Sequence, residues 1–171
     1  MAFTDEQWSK IRRLFRGAFA TSIHYAVATV NEDGSPHVTP VGSLVLRENG
    51  KGFFFEEYLG NTARNFRRDP RVCILAVHSS RWLFLKSLLL GRFVSMPAMR
   101  LTGIVGEKRE ATPEELALFR RRVGRYRFLQ GYDLLWGRLK YVRDVSFDGA
   151  LPIRTGAMTK GLWPATASGD A

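Results

Sequence analysis

A single cysteine, Cys73, and three histidines, His24, His37 and His78, stand in a chain of 171 residues. One thiol cannot close an internal disulfide. One Cys and three scattered His do not make a zinc site at these spacings. Cys73 lies in the strand-like apolar run "RVCILAV" and reads as a buried, inert thiol. Acidic residues are also scarce, 16 against 26 Lys and Arg, for a formal charge of +10. That excess indicates solubility and a liking for anions rather than a fold. It suits nucleic acid, an acidic membrane surface or a phosphorylated ligand equally. Nothing in the chain is apolar over a length that would cross a bilayer. The start, "MAFTDEQWSK", has charge where a secretory signal would carry its apolar run, so a cytoplasmic location is the default. No nucleophile–base pair is recognisable, which argues against hydrolysis.

What the chain does have is an ordinary globular balance, 45% apolar and 25% charged. The expectation is one domain over residues 1–160, followed by a flexible tail at 161–171 rich in Gly, Ala, Ser and Thr. Thr4 to Gln7 has the form of a capping box. Trp8, Ile11, Leu14, Phe15 and Ala18 then recur at helical spacing, which predicts an amphipathic helix over 5–17. A barrel core is expected over 23–110, where strand-like runs alternate with Gly- and Asp-rich turns. The run "RVCILAVH" has the unbroken apolar texture of a strand buried on both faces. Gly103 or Gly106 is expected to bend a strand within 98–110. Thr112-Pro113-Glu114-Glu115 opens a helical segment over 112–137, interrupted near Gly124 or Gly131. A last strand follows at 141–150. Six strands with peripheral helices make an α+β, barrel-like domain. Residues 81–97, "RWLFLKSLLLGRFVSMP", fit least well. They read as a buried helix or dimer surface, or else as a lid or a membrane-touching patch.

The stretch "GNTARNFRRDPR", residues 60–71, follows an aromatic strand and is helical up to Pro70. With Asn61 or Thr62 as its cap, the first-turn N–H groups form an anion site. Arg64 sits in that turn, Arg68 lies one turn later on the same face, and Arg67 points elsewhere. The other reading is a solvated basic helix. Residues 37–47 read as a strand whose odd positions are polar near its start, with Pro40 demanding an edge or a bulge. A second basic cluster, Arg120, Arg121, Arg122, Arg125 and Arg127, raises nucleic-acid binding. Its neighbours Leu116, Leu118, Phe119, Val123 and Phe128 look internal, however, and not like stacking platforms.

The segments "ATVNEDGSPHVTPVG" and "GFFFEEYLGNTARNFRRDPRVCILAV" resemble the pyridoxamine 5′-phosphate oxidase-like, FMN-binding split-barrel superfamily. The likeness is close over 27–77 and loose elsewhere. It rests on the order of an Ala-Thr pair, an Asp-Gly-x-Pro turn, a Thr-Pro strand, an aromatic strand and a helix ending in Pro-Arg-Val. The resemblance implies a six-stranded antiparallel split β-barrel that forms a homodimer with FMN at the interface. It implies an oxidoreductase acting on a small-molecule substrate, the flavin carrying the redox chemistry. By position, His37, Val38, Thr39, Pro40 and Val41 would border the flavin ring. Glu56, Glu57, Asn61, Thr62, Arg64 and Asn65 would lie near the ribityl phosphate. Two places depart from the family's pattern. Thr62 stands where lysine is usual, and Glu56 and Glu57 stand where hydroxyl, aromatic or small residues are usual. The alternatives are F420 or haem in place of FMN, or a binding protein without enzymatic activity or cofactor. The family's C-terminal arginine–histidine signature has no match in "DVSFDGALPIRTGAMTK", which argues against pyridoxamine 5′-phosphate itself as substrate.

Overall fold

The structure, a computed structural model, describes residues 3–163. Helix α1 (Asp5–Ser22) opens on the expected capping box, in which the Thr4 hydroxyl accepts the Gln7 N–H at 3.2 Å and Gln7 Oε1 accepts the Thr4 N–H at 3.0 Å. It runs a turn past the predicted 5–17, since Ala18 and Phe19 continue the buried stripe of Trp8, Ile11, Leu14 and Phe15. Ile23, left-handed at φ 64°, ends it.

The strands are β1 (Tyr25–Val30), β2 (Pro36–Val41), β3 (Val45–Leu46), β4 (Lys51–Phe55), β5 (Arg71–Val77), β6 (Ala98–Glu110) and β7 (Tyr141–Pro152). They form one sheet in the order β2-β1-β5-β6-β7-β4-β3, antiparallel throughout. The expectation of six strands is corrected to seven, because the second breaks over residues 42–44 into β2 and β3. These two halves lie at opposite edges of the sheet. The four steps from Val41 to Val45 reach only about 14 Å, so the sheet has to curl until its edges approach each other. The result is the expected split barrel. Gly42 permits the break, since a Cβ there would stand 2.9 Å from the Ile23 carbonyl oxygen. Pro40 pairs only with Ala26, on an edge strand, as its missing N–H requires.

Strand β4 is buried on both faces. Phe55 meets Phe119 of α4 (Pro113–Val123) at 5.3 Å between ring centroids, and Phe54 meets Phe66 of α2 (Gly60–Arg68) at 5.7 Å. This aromatic packing sets α2 against the barrel. Strand β5 is not buried on both faces as its apolar run suggested. Val72, Ile74 and Ala76 point into the core, while Cys73 and Leu75 are half-buried on the outer face. Strand β6 shifts register between Thr102 and Gly103 and again between Val105 and Lys108, which bears out the expected bends. Helix α4 stops at Val123, a 3-10 turn covers Gly124–Tyr126, and a short helix, α5, spans Gly131–Trp136.

Helix α3 (Arg81–Leu90) is capped by Ser80 and ended by a left-handed Gly91. Within it only Ser87 is buried, so the reading of this segment as a buried helix is corrected. The tail expected at 161–171 lies mostly outside the described residues. Of its described part, Leu162 and Trp163 pack against the core.

Candidate functional site

The corner between the end of β4 and the start of α2 collects most of the residues singled out above. Glu56 is 6% exposed and faces inward, where Arg143 of β7 donates to its carboxylate and Lys108 Nζ approaches to 3.3 Å. Arg143 is itself buried and also donates to the Gly106 carbonyl oxygen at 2.9 Å. Register explains the meeting, since Phe54 pairs with Arg143 and Glu56 lies two residues further along the same face of the chain. Glu57 turns the other way. One of its oxygens accepts the backbone N–H groups of Lys140 at 2.7 Å and Tyr141 at 2.8 Å, fastening the start of β7. Its other oxygen, Oε2, is buried without a hydrogen-bond partner among the described residues. Both carboxylates are therefore engaged at β7, Glu56 by the Arg143 side chain and Glu57 by the backbone at its start.

The helix start differs from expectation. Leu59, not Asn61 or Thr62, occupies the cap position, and no side chain caps α2. Gly60 takes φ 38°, which glycine tolerates, to make the turn from the strand. Thr62 is fully buried, 0% exposed, and its Oγ1 lies 3.1 Å from His37 Nε2. Asn65 is buried as well, its amide donating to Thr29 Oγ1 and Asn31 Oδ1, both at 3.0 Å. Thr62 and Asn65 thus fasten α2 to β1 and β2, and their buried side chains are not turned to solvent. Asn61 and Arg64 are exposed and joined to each other by a hydrogen bond. Arg68 closes over the end of β1, donating to the carbonyl oxygens of Val30 at 2.8 Å and Asn31 at 2.5 Å.

The five candidate residues on β2 divide between two faces. His37, Thr39 and Val41 turn inward, while Val38, 62% exposed, and Pro40 turn out. The outward row continues across the sheet as Ala28, Cys73 and Leu75 and reaches Arg100, Thr102 and Ile104 on β6. The outer face is thus apolar over β2, β1 and β5 and mixed on β6, where an antiparallel sheet ordinarily shows polar residues to water throughout. A groove of about 540 Å³ runs over it, lined in part by Ala28, Pro36, Cys73 and Ile104. Burial pushes the Cys73 thiol pKa up, with Arg100 opposing, so Cys73 is not an activated nucleophile.

The partners Arg143, Lys108, Thr29 and Asn31 were not singled out from sequence. A signal existed only for Arg143, an arginine within the apolar alternation of β7. The second basic cluster is not one surface. Arg122 folds inward, stacked 3.5 Å from the Phe19 ring centroid and donating to Tyr25 Oη at 2.7 Å. Phe119 and Val123 pack inside as expected, whereas Phe128 is 83% exposed. No group of His, Cys, Asp and Glu among the described residues could hold a metal ion.

Comparison with known proteins agrees with this architecture. Among curated protein sequences none matches significantly. An FMN-binding protein from Syntrophomonas wolfei subsp. wolfei shares the fold at TM-score 0.56 and 13% identity, over 88% of this chain and 94% of that one. HutZ, the heme storage protein from Vibrio cholerae, does so at TM-score 0.53 and 17% identity, over 84% and 92%. A structure described as an F420 reductase gives TM-score 0.52 and 14% identity, over 80% and 94%. At these identities the likeness is one of fold. The sequence profile of the pyridoxamine 5′-phosphate oxidase family matches residues 14–145. The chain therefore belongs to the pyridoxamine 5′-phosphate oxidase-like family of split-barrel proteins.

Proposed function

We propose that this protein is an FMN-binding oxidoreductase of the cytoplasm that acts on a small molecule as a homodimer. The observation that carries the reading is the start of α2, a helix N-terminus with no side-chain cap, Arg64 exposed just past its first turn and bonded back to Asn61, and both neighbouring carboxylates engaged elsewhere. The residues fit the anionic end of the cofactor. The uncapped N–H groups and Arg64 would hold the phosphate. Because Glu56 is neutralised by Arg143 and Lys108, it does not oppose a dianion there. The unpartnered oxygen of Glu57 is an acceptor, suited to a hydroxyl donor such as those of the ribityl chain. Thr62 and Asn65 serve as positioning residues, since they fix the angle at which α2 presents its N-terminus. Bound flavin would supply the hydride and electron chemistry, and the chain would supply position, hydrogen bonds and exclusion of water. The uncovered apolar face that includes Val38 and Ile104 supports pairing with a second copy, which would bring the outward β2 residues to the interface.

Purified protein is expected to bind FMN with a two-band visible spectrum and quenched flavin fluorescence. A colourless protein that ignores micromolar FMN overturns the reading, and a haem-type absorption band assigns the barrel to haem instead. Arg64→Ala is expected to weaken FMN binding about tenfold, roughly the worth of one charge-assisted contact, and to leave riboflavin binding nearly unchanged. Equal loss for both ligands would remove Arg64 from the phosphate site.

A further inference from the structure

Helix α3 breaks the usual relation between apolarity and burial. Its residues include Trp82, Phe84, Leu85, Leu88, Leu89 and Leu90, all exposed, with Leu89 at 79% and Trp82 at 72%. At about 100° per residue, Phe84, Leu88, Leu85, Leu89 and Trp82 fall within an arc of roughly 160° on the side away from buried Ser87, with only Arg81, the first residue of the helix, among them. A helix apolar on its outer side is ordinarily covered by something.

The charge around it identifies the cover. From residue 70 to 106 the chain has no aspartate or glutamate, while Arg81, Lys86, Arg92 and Arg100 fall within the span; Arg71, at the far end of β5, is paired with Asp69. Arg81 and Lys86 lie on α3, and Arg92 follows its last turn directly. Lys10 and Arg13 of α1 line the groove beside Val94 and Ser95, and no acidic residue lines it, although Lys10 is paired with Glu6 at 2.7 Å one turn away. A second copy of the chain would set this basic, acid-free surface against itself, with no carboxylate in the span to pair. Nucleic acid would satisfy the cations and leave the leucines wet. One partner satisfies both, an anionic lipid surface, where leucine and tryptophan enter the acyl boundary and Lys and Arg meet the headgroups. We propose that α3 docks this protein onto anionic membranes, lying in the interface plane. Ten residues cannot cross the bilayer, and no helix among the described residues is long and apolar enough to do so. The proposal is independent of whether flavin is bound.

The test is cosedimentation of the full chain with phosphatidylcholine vesicles, with and without about one-third phosphatidylglycerol. Binding is expected to be about tenfold or more stronger on the anionic vesicles and to weaken as salt is raised. The double variant Leu85→Glu/Leu89→Glu is expected to lose about tenfold or more of that binding. Wild-type tryptophan fluorescence should shift to the blue on vesicles, and Trp82→Phe should abolish the shift. Should the double variant fail to fold, Lys86→Glu/Arg92→Glu carries the test, with a similar loss expected on anionic vesicles. Three binding results overturn the proposal. They are no vesicle binding, equal binding to neutral and anionic vesicles, and a double variant that binds as wild type. A double variant that instead changes from dimer to monomer assigns α3 to a chain–chain contact and overturns it as well.

Discussion

The β4–α2 corner and helix α3 invert each other. At the corner, Glu56, Arg143, Thr62 and Asn65 are charged or polar and lie inside. On α3, Trp82, Phe84, Leu85, Leu88 and Leu89 are apolar and lie outside. Partners decide the difference. Each of the four at the corner meets a complementary group elsewhere in the chain, which offsets its desolvation. The leucines of α3 have no second layer to pack on within the described chain. Burial here follows from what an element faces as much as from what it is made of.

Breaking the buried pair should give the largest effect. Arg143→Ala leaves Glu56 inside with only Lys108 nearby, and a loss of about 3 kcal/mol in urea denaturation is expected. A variant that replaces both partners, Glu56→Gln/Arg143→Met, should recover part of that loss, because no charge remains uncompensated. Recovery of none would show that packing, not charge, holds the corner. Asn65→Ala comes next. It strands Thr29 and Asn31 at the base of α2 and should cost about 1–3 kcal/mol, read in the same denaturation curves.

A second partnered network sharpens the comparison through pH. Glu115 of α4 accepts two hydrogen bonds from Arg109, at 2.9 and 2.7 Å, and Arg109 also grips Asp144 at 2.6 and 2.7 Å. The Arg109 guanidinium, aided by the Thr112 N–H and Arg47, holds the Glu115 pKa down from 4.5 to about 2. A carboxylate with a lower pKa folded than unfolded stabilises the fold fully above pH 4.5, and that contribution is lost as pH falls through about 2. Thermal melts across that window should show the wild type losing stability, and Glu115→Gln should flatten the slope. An unchanged slope would locate the acid sensitivity elsewhere. The smallest effect is expected on α3, where Leu89→Ala should shift stability by less than about 0.5 kcal/mol. A cost of several kcal/mol would mean that α3 is buried in solution.

Much of the fold was legible in the chain. The boxes at Thr4 and Thr112 announced α1 and α4, because a cap is a local contact between residues three apart. The break near Gly124 and the bends in β6 were legible for the same reason. The break at 42–44 was not, since it depends on the distant Ile23 carbonyl approaching Gly42. The cap at Leu59 was missed as well. Asn61 and Thr62 have capping chemistry, but Thr62 is claimed by His37, 25 positions away, and Asn61 by Arg64. At the candidate site, sequence pattern picked out the corner and Arg64. It could not tell which polar residues would be spent inside the fold.

Sequence alone determined most of the elements, the caps of α1 and α4 and the family pattern, because those depend on residue type and short spacings. Tertiary structure decided that Glu56 is neutralised, that Thr62 and Asn65 position α2 from within, and that α3 stands uncovered. Each of those outcomes depends on which distant strand or helix comes to face the residue. Only the curling of the sheet, with β2 and β3 at its two edges, sets that.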